Sequence, residues 1–354
     1  MIAIIIPTLN EERFIEKCLD SVRQQTFPFE EMDVMVVDGG SKDLTQDIVK
    51  RYSLRYPNVR LLVNPKKIQS AAFNLGFQNT DAEIVIRLDA HARYNEVYVE
   101  CCVKHLKFNP EIGNVGGILN ILPQYKGLIP EANALLNQSR FGIGGASYRI
   151  GAKLGYVETV PFGAFPRMVI NEIGGMREDL PRGEDNEYNH RIRKSGYKIL
   201  LDPQIVATYY ARDTIWQSMK QMYQNGESIG KLTDIDIEII SIRHFVPLLF
   251  VIILILGILL SPFYWFFAAI FGTVLGLYLI MDVVASVWVS LDHGLKYVTV
   301  LPIMFPAIHI SYGWGTLKYL FEGQKHKYKF GLLAVLALPF HICKLTFKLI
   351  TQKA

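Results

Sequence analysis

Three short clusters hold the residues best suited to chemistry. Asp38 closes the run Val36-Val37-Asp38-Gly39-Gly40-Ser41; Asp89 and His91 stand one residue apart in Arg87-Leu88-Asp89-Ala90-His91; Glu184 and Asp185 are adjacent in Gly183-Glu184-Asp185-Asn186-Glu187. A carboxylate at Asp38 could accept hydrogen bonds from a base or a ribose, with the glycines allowing close approach, or it could cap its own turn. Asp89 could hold a divalent cation whose other positions are filled by diphosphate oxygens. His91 stands where a second carboxylate would complete the pair, and imidazole suits manganese better than magnesium. Glu184 and Asp185 open a helix, where acids complement the helix dipole, yet a carboxylate facing a ligand crevice could also take a proton from a hydroxyl as general base.

The elements that must position these residues follow from apolar patterning. Ile2–Ile6, Asp33–Val37, Val59–Val63 and Ile84–Leu88 read as strands; Glu11–Gln25, Leu44–Tyr56 and Gln69–Gln78 read as helices, the first with Asn10 as cap. Val160–Phe165 reads as a further strand before the helix that starts at Gly183. Alternating strand and helix implies an α/β fold with a Rossmann-like, mostly parallel sheet, whose ligands sit beyond the carboxyl ends of the strands. Pro7–Glu11, Asp38–Ser41 and Asp89–His91 all lie at such ends. No G-x-G-x-x-G is present, which argues against dinucleotide binding.

The chain has 354 residues, half of them hydrophobic, and a formal net charge of +4. That mild basic excess suits an anionic membrane surface, not sequence-specific nucleic-acid binding. Its cysteines, Cys18, Cys101, Cys102 and Cys343, form no C-x-x-C pair, so neither a zinc site nor a redox motif is indicated; Cys18 reads as a buried thiol. The N-terminal apolar run is too short for a signal peptide and lacks a basic flank, so the globular part is expected in the cytoplasm. The apolar excess lies late in the chain. Residues 244–261 and 263–281 are each apolar over about the ~30 Å of a hydrocarbon core. Asp282 follows the second. A segment near 297–317 is broken by Pro302 and Pro306 and reads as re-entrant, or as a third span. Another near 330–350, interrupted by Pro339, Lys344 and Lys348, reads as an interfacial helix or fourth span. The lysines of the stretch 318–329 are expected on the cytoplasmic side. The expected division is a globular domain over 1–235 and a membrane-associated helical region over 236–354.

Seven stretches, in order, carry a family resemblance. They are Ile4-Ile5-Ile6-Pro7-Thr8-Leu9-Asn10-Glu11-Glu12; Val36 to Ser41; Asn64-Pro65-Lys66 with Ala71-Ala72-Phe73-Asn74-Leu75-Gly76; Arg87 to His91; Phe141-Gly142-Ile143-Gly144-Gly145; Pro161-Phe162-Gly163-Ala164-Phe165; and Gly183 to Glu187. Over residues 1 to about 230 the chain resembles the inverting family-2 glycosyltransferases of the GT-A fold, most nearly the subgroup that includes a succinoglycan-biosynthesis glucosyltransferase. The resemblance implies a donor pocket containing Pro7, Asn10, Glu11, Asp38, Asn74, Arg87 and Asp89. It implies a metal, Mn2+ or Mg2+, on Asp89 with His91, and Asp185 as catalytic base. It implies a nucleotide-sugar donor, a UDP-sugar, and single displacement that turns an α-linked donor into a β-linked product. The implied acceptor is a polyprenyl-diphosphate-linked saccharide at the cell membrane, in exopolysaccharide or capsule synthesis, with a multi-pass anchor and the catalytic domain on the cytoplasmic side.

Processive synthases of the family carry Q-x-x-R-W before the membrane; here Gln221-Met222-Tyr223-Gln224-Asn225-Gly226 has no Arg-Trp, which favours transfer of one sugar. A processive polysaccharide synthase is one alternative. A membrane transport component with a nucleotide-sensing domain is the other, disfavoured because only Asp282 places an acid at the spans. Lys220, Lys231 or Arg149 could add a cationic contact to the leaving group. Gly142–Arg149 could be a mobile lid or a plain connection, and Arg191, Arg193 and Lys194 read as a solvated helix face.

Overall fold

A computed structural model describes residues 1–322. The expected segment near 330–350 and Cys343 lie outside the described residues. In chain order the elements are β1 Ile2–Thr8, α1 Ile15–Arg23, β2 Met32–Asp38, α2 Thr45–Arg55, β3 Val59–Val63, α3 Gln69–Gln78, β4 Ile84–Arg87, β5 Ala92–Tyr94, α4 Tyr98–Phe108 and β6 Ile112–Leu122. Then come α5 Leu128–Leu136, α6 Arg140–Ile143, α7 Ser147–Ile150, β7 Gly155–Tyr156, β8 Ala164–Pro166, α8 Arg167–Ile173, α9 Glu184–Lys194 and β9 Lys198–Tyr210. The rest is helical: α10 Ile215–Thr233, α11 Val246–Leu260, α12 Trp265–His293 and α13 Leu301–Glu322.

The chain forms two compact units, Met1–Gln124 with Gly145–Ala211, and Tyr125–Gly144 with the chain from Arg212 onward. The second unit therefore takes α10 and an insert from the middle of the sequence, whereas the sequence reading divides the chain at 235.

The first unit is built on one sheet of order β3-β2-β1-β4-β8-β6-β9-β5, with β7 on β9. The four strands read from the sequence run parallel, β3-β2-β1-β4. All seven residues of β1 are buried, as a strand covered on both faces requires. Each fully buried isoleucine there contributes about 1.5–3 kcal/mol. The far half departs from the expected mostly parallel sheet: β8 is antiparallel to β4 and β6, β5 is antiparallel to β9, and only β6 and β9 run parallel. β6 and β9, the two longest strands among the described residues, are not among the strands expected from apolar patterning. Their apolar patterns are interrupted by Gly113-Asn114 and Gly116-Gly117 in β6 and by Asp202-Pro203 in β9, and their pairing carries register shifts at Ile112/Asn114 and Gly116/Ile118. Val160 to Gly163 is not strand; only Ala164–Pro166 pairs. On one face, α3, α8 and α9 pack Phe73, Ile170, Tyr188 and Ile192 against Ile5, Met35 and Val85.

In the second unit α10 and α13 approach until their backbones touch. A Cβ on Gly226 would lie 2.0 Å from the Tyr312 carbonyl oxygen, and one on Gly315 would lie 2.1 Å from that of Tyr223. Thr316 Oγ1 donates to the Gly226 carbonyl at 3.0 Å. Ile242–Leu260 and Trp265–His293 are long and apolar enough to cross a membrane by length and composition. The second outruns its expected end at 281, so Asp282 is not a terminus: it sits inside α12, buried, with Ser286 Oγ donating to it at 3.5 Å. Segment 297–317 forms a 3-10 turn, Leu295–Thr299, followed by α13, which continues through Pro306 as a single helix. The insert joins this unit through α5, whose buried Asn133 donates to the Arg212 carbonyl and accepts from Ser218 Oγ, both at 3.0 Å.

Candidate active site

The first unit places Asn10, Glu11, Asp38, Asp89 and His91 at or just beyond the carboxyl ends of β1, β2 and β4, with Asn74 on α3 and Asp185 on α9. Thr8 and Asp38 are register partners at the ends of β1 and β2. The chain leaves β1 through Asn10 at φ 55°, a left-handed conformation that Asn tolerates. The Asn10 N–H donates to Ser41 Oγ at 2.7 Å, its Oδ1 accepts from the Lys42 N–H at 2.9 Å, and the Glu11 N–H donates to Thr45 Oγ1 at 2.8 Å. These bonds zip the two loops together. Asn10 is thus not the expected helix cap: α1 starts later, at Ile15, without a side-chain cap.

Asp38 is completely buried. Its carboxylate accepts from the N–H groups of Gly40 and Ser41, both at 2.8 Å, from Ser41 Oγ, and from Gln46 Nε2 at 2.6 Å. Three of those donors converge on Oδ1 and one on Oδ2, so Asp38 holds the turn in this structure. Asn74 is likewise engaged: its Oδ1 accepts from the Met176 N–H at 2.8 Å and its Nδ2 donates to Glu178 Oε1 at 3.0 Å. Pro7 lies within β1, beside Val37.

Arg87 is the hub of the site. Its side chain is 3% exposed, and Nη1 is ion-paired with Asp185. Nη2 lies 3.1 Å from Gln69 Oε1 and 3.4 Å from both Asp89 Oδ1 and Glu184 Oε1. Asp89 and Asp185 therefore share one guanidinium. Burial works against that charge, but Asp185, Asp89 and Glu184 together raise the Arg87 pKa above its already high value. One cation among three carboxylates leaves an excess of negative charge. The Glu184 carboxyl responds: burial first, then repulsion from Asp185, pushes it up to about 7. Asp185 is also raised, by loss of solvent, against the pull of Arg87. The two acids differ in access, the Asp185 side chain being 40% exposed and that of Glu184 7%. Gly183 at φ 80° makes the turn that brings both into the first turn of α9.

Asp89 follows β4, its main chain clamped by Tyr94, whose hydroxyl accepts from the Asp89 N–H at 2.7 Å and donates to its carbonyl at 3.1 Å. His91 Nδ1 lies 3.2 Å from Glu11 Oε1, and its ring meets Tyr209 edge-on. Burial lowers its pKa, but the Glu11 bond and the charge of Asp89 outweigh this and bring it to about 9. A ring so raised carries protons on both nitrogens; with Nδ1 turned to a carboxylate, Nε2 is the nitrogen that would meet a metal once its proton is displaced, the usual outer-sphere arrangement of a metal-binding histidine. Asp89, the excess of carboxylates and a deprotonated His91 are donor types that a divalent cation takes.

Several contacts lie beyond sequence reasoning. Gln69, Tyr94 and Tyr209 enter from three elements with no motif to announce them. The Glu11–His91 pair joins residues 80 apart. Arg191 is not a solvated side chain: it is bidentate on Glu187, at 2.7 and 3.0 Å, and donates to the carbonyls of Ile173 and Gly175. Cys18 is fully buried, as expected. Gly142–Arg149 is not one loop of a single unit, since the chain passes from the second unit to the first between Gly144 and Gly145. Lys220 and Lys231 belong to the second unit and Arg149 to the first.

Residues 3–149 match the family model described as glycosyl transferase family 2. The succinoglycan biosynthesis protein ExoA of Rhizobium meliloti is 30% identical over 232 residues, covering 64% of this chain and 68% of that protein. The chain belongs to glycosyltransferase family 2. A second relative of this glycosyltransferase spans more of it. The dolichyl N-acetyl-alpha-D-glucosaminyl phosphate 3-beta-D-2,3-diacetamido-2,3-dideoxy-beta-D-glucuronosyltransferase of Methanococcus voltae is 27% identical over 330 residues, 91% of this chain and 98% of that protein. Among solved structures, a mannosyltransferase from Pyrobaculum calidifontis, in complex with GDP-Man and Mn2+, superposes with a TM-score of 0.60 at 20% identity, covering 88% of this chain and 87% of that one. The glycosyltransferase thus has the GT-A fold with a mixed sheet, followed by a mostly helical region.

Proposed function

We propose that the chain is a membrane-anchored, inverting glycosyltransferase that moves one sugar from a nucleotide-sugar, a UDP-sugar, to a lipid-linked saccharide. The observation that carries this reading is the shared guanidinium: Arg87 joins Asp89 to Asp185 within one cluster at the strand ends. Asp185, the more exposed acid, accepts the proton of the acceptor hydroxyl as that oxygen attacks the anomeric carbon and the bond to the diphosphate breaks. Glu184 stays beneath it, and Arg87 holds Asp185 in place. Asp89 and His91 would hold a divalent cation, which supplies positive charge to the leaving diphosphate when bound. Glu11 orients His91, and the zipped loops at Asn10 and Asp38 form the nucleotide side. One displacement inverts the anomeric centre.

The names of the relatives support a lipid-linked acceptor, since the Methanococcus voltae protein is named for a dolichyl-linked substrate. The complex of the mannosyltransferase supports a nucleotide-sugar donor and a divalent metal. Anchoring by α11 and α12 has a physical rationale: an acceptor confined to a bilayer meets an enzyme held at the same surface at a raised effective concentration. Arg243 precedes that hairpin and Lys296 follows it, while the turn at 261–264 carries no lysine or arginine, which supports a cytoplasmic first unit.

The test is incubation of the full chain with UDP-, GDP- and dTDP-sugars and a polyprenyl-diphosphate saccharide. The expected result is metal-dependent release of UDP with one sugar added per acceptor. Binding without turnover would favour a sensing role, and a long polymer a processive synthase. Asp185→Asn should lower turnover by at least about a hundredfold with donor affinity unchanged; substantial residual turnover would remove Asp185 as base.

A further inference from the structure

We propose that Gln69 is a specificity-determining residue for the donor, its side-chain N–H2 group reading the oxygen substituent at C2 of the sugar, next to the reacting carbon. The inference rests on the donor and base assignments proposed above and adds a residue that no motif marks. Its first support is the orientation of the amide. Arg87 Nη2 donates to Gln69 Oε1 at 3.1 Å, a shorter contact than those to Asp89 and Glu184, both 3.4 Å. A guanidinium carries donors and no acceptor, so the amide oxygen must face it and the amide nitrogen must face away. Arg87 is buried, whereas Gln69 is exposed. Among the described residues Nε2 has no hydrogen-bond partner. The cluster thus offers two outward N–H donors beside carboxylates that, when ionised, can only accept.

The second support is how firmly that amide is placed, and between what. Asn64, buried just after β3, donates its N–H to the Asp38 carbonyl at 2.7 Å and its Nδ2 to the Ile68 carbonyl at 2.9 Å. Lys67 is held at φ 58°, a left-handed conformation that side chains rarely adopt and that clusters where a fold fixes a site. The segment brushes the Asp38 turn, since a Cβ on Gly39 would lie 3.4 Å from Lys67 Cα. Gln69 then opens α3 at the Arg87 hub. The connection from β3 to α3 therefore runs from the nucleotide side of the site to its carboxylates. In the displacement, the leaving diphosphate oxygen belongs on the Asp89 side and the attacking hydroxyl on the Asp185 side, so the anomeric carbon lies between the two. Arg87 holds both acids, and the nitrogen that binds Asp89 also binds Gln69. Beside the anomeric carbon, the ring oxygen loses its basicity as positive charge develops on it. The substituent at C2, a hydroxyl or the carbonyl of an acetamido group, keeps a full acceptor oxygen. Ionised carboxylates can take a proton from such a hydroxyl but cannot donate to its oxygen; the Gln69 amide can.

The experiment is calorimetric titration of the full chain, in detergent with Mn2+, with UDP, UDP-glucose, UDP-N-acetylglucosamine and UDP-2-deoxyglucose. The parent is compared with Gln69→Met and Gln69→Glu. The parent should bind the better of the two C2-substituted sugars about fivefold or more tighter than the 2-deoxy compound, the worth of one neutral hydrogen bond. Methionine keeps the length of the side chain and removes both polar ends. Glutamate keeps an oxygen for Arg87 and removes the N–H2, and the repulsion it adds towards the diphosphate acts on all four ligands alike. In both variants the preference over the 2-deoxy compound should fall to within about twofold, because the acceptor oxygen then meets no donor. A preference unchanged in Gln69→Glu means that Gln69 only anchors Arg87, which overturns the inference and leaves the proposed function standing. A parent that binds the 2-deoxy compound as tightly as the other sugars also overturns it. If UDP and all three sugars fail to bind, the UDP-sugar reading fails and the inference falls with it.

Discussion

Glu184→Gln removes a carboxyl whose ionisation the folded site resists while keeping an oxygen 3.4 Å from Arg87 Nη2. The native group is raised from its ordinary 4.5 to about 7, so the folded state binds this proton more tightly than the unfolded chain does. Stability is therefore lost as pH rises from about 4.5 through about 7 and is level above that window. At about 1.4 kcal/mol per unit, ionising Glu184 costs the folded first unit about 3 kcal/mol at pH 8 and under about 1 kcal/mol at pH 5. Glutamine never ionises, so the variant should be more stable than the parent by those amounts. The measurement is thermal unfolding of the detergent-solubilised chain, followed by reaction of the buried thiols Cys18 and Cys102 with a thiol-reactive dye. Parent and variant are compared at the same pH, which cancels the response of the dye. An equal gain at both pH values, or a loss at pH 8, would refute the charge-crowding argument. Turnover adds a second reading: Glu184→Gln should retain activity that Asp185→Asn loses.

Other perturbations separate metal and packing roles. With His91 as a ligand, activity should be higher with manganese than with magnesium, and His91→Asp should narrow that gap; an unchanged preference counts against coordination by His91. Gly226→Val should cost about 3 kcal/mol or more, because its first side-chain carbon would meet the Tyr312 carbonyl at 2.0 Å, and backbone cannot move aside as a flexible side chain can. Proteolytic resistance of the helical unit reads that loss, and a variant as resistant as the parent would mean that α10 and α13 can separate at little cost.

The local grammar of the chain was legible wherever one element carried its own signal. β1 to β4 show as apolar runs because strands covered on both faces need no alternation, and α3 was bounded to the residue. The acids at the strand ends could be found because a parallel sheet directs its ligands there. The first apolar span was legible for a similar reason: uninterrupted apolar side chains require no knowledge of neighbours. Asp185 and Asp89 were candidates by type and spacing, and the order of the motifs carried the family.

Contacts between distant elements decided the rest. β6 and β9 are held by pairing with each other across bulges, so their broken apolar patterns hid them. Whether Asp38 presents a carboxylate or ties a turn depends on four donors, one of them Gln46 from α2. Placing Asp89 and Asp185 on one guanidinium requires β4 and α9 to converge, 98 residues apart at the Arg87–Asp185 pair. The insert joined the helical unit because Glu131 and Asn133 find partners far along the chain. Such facts are absent from any window of sequence: a buried polar group is satisfied by whichever residue the fold delivers, and only the assembled chain determines which one arrives.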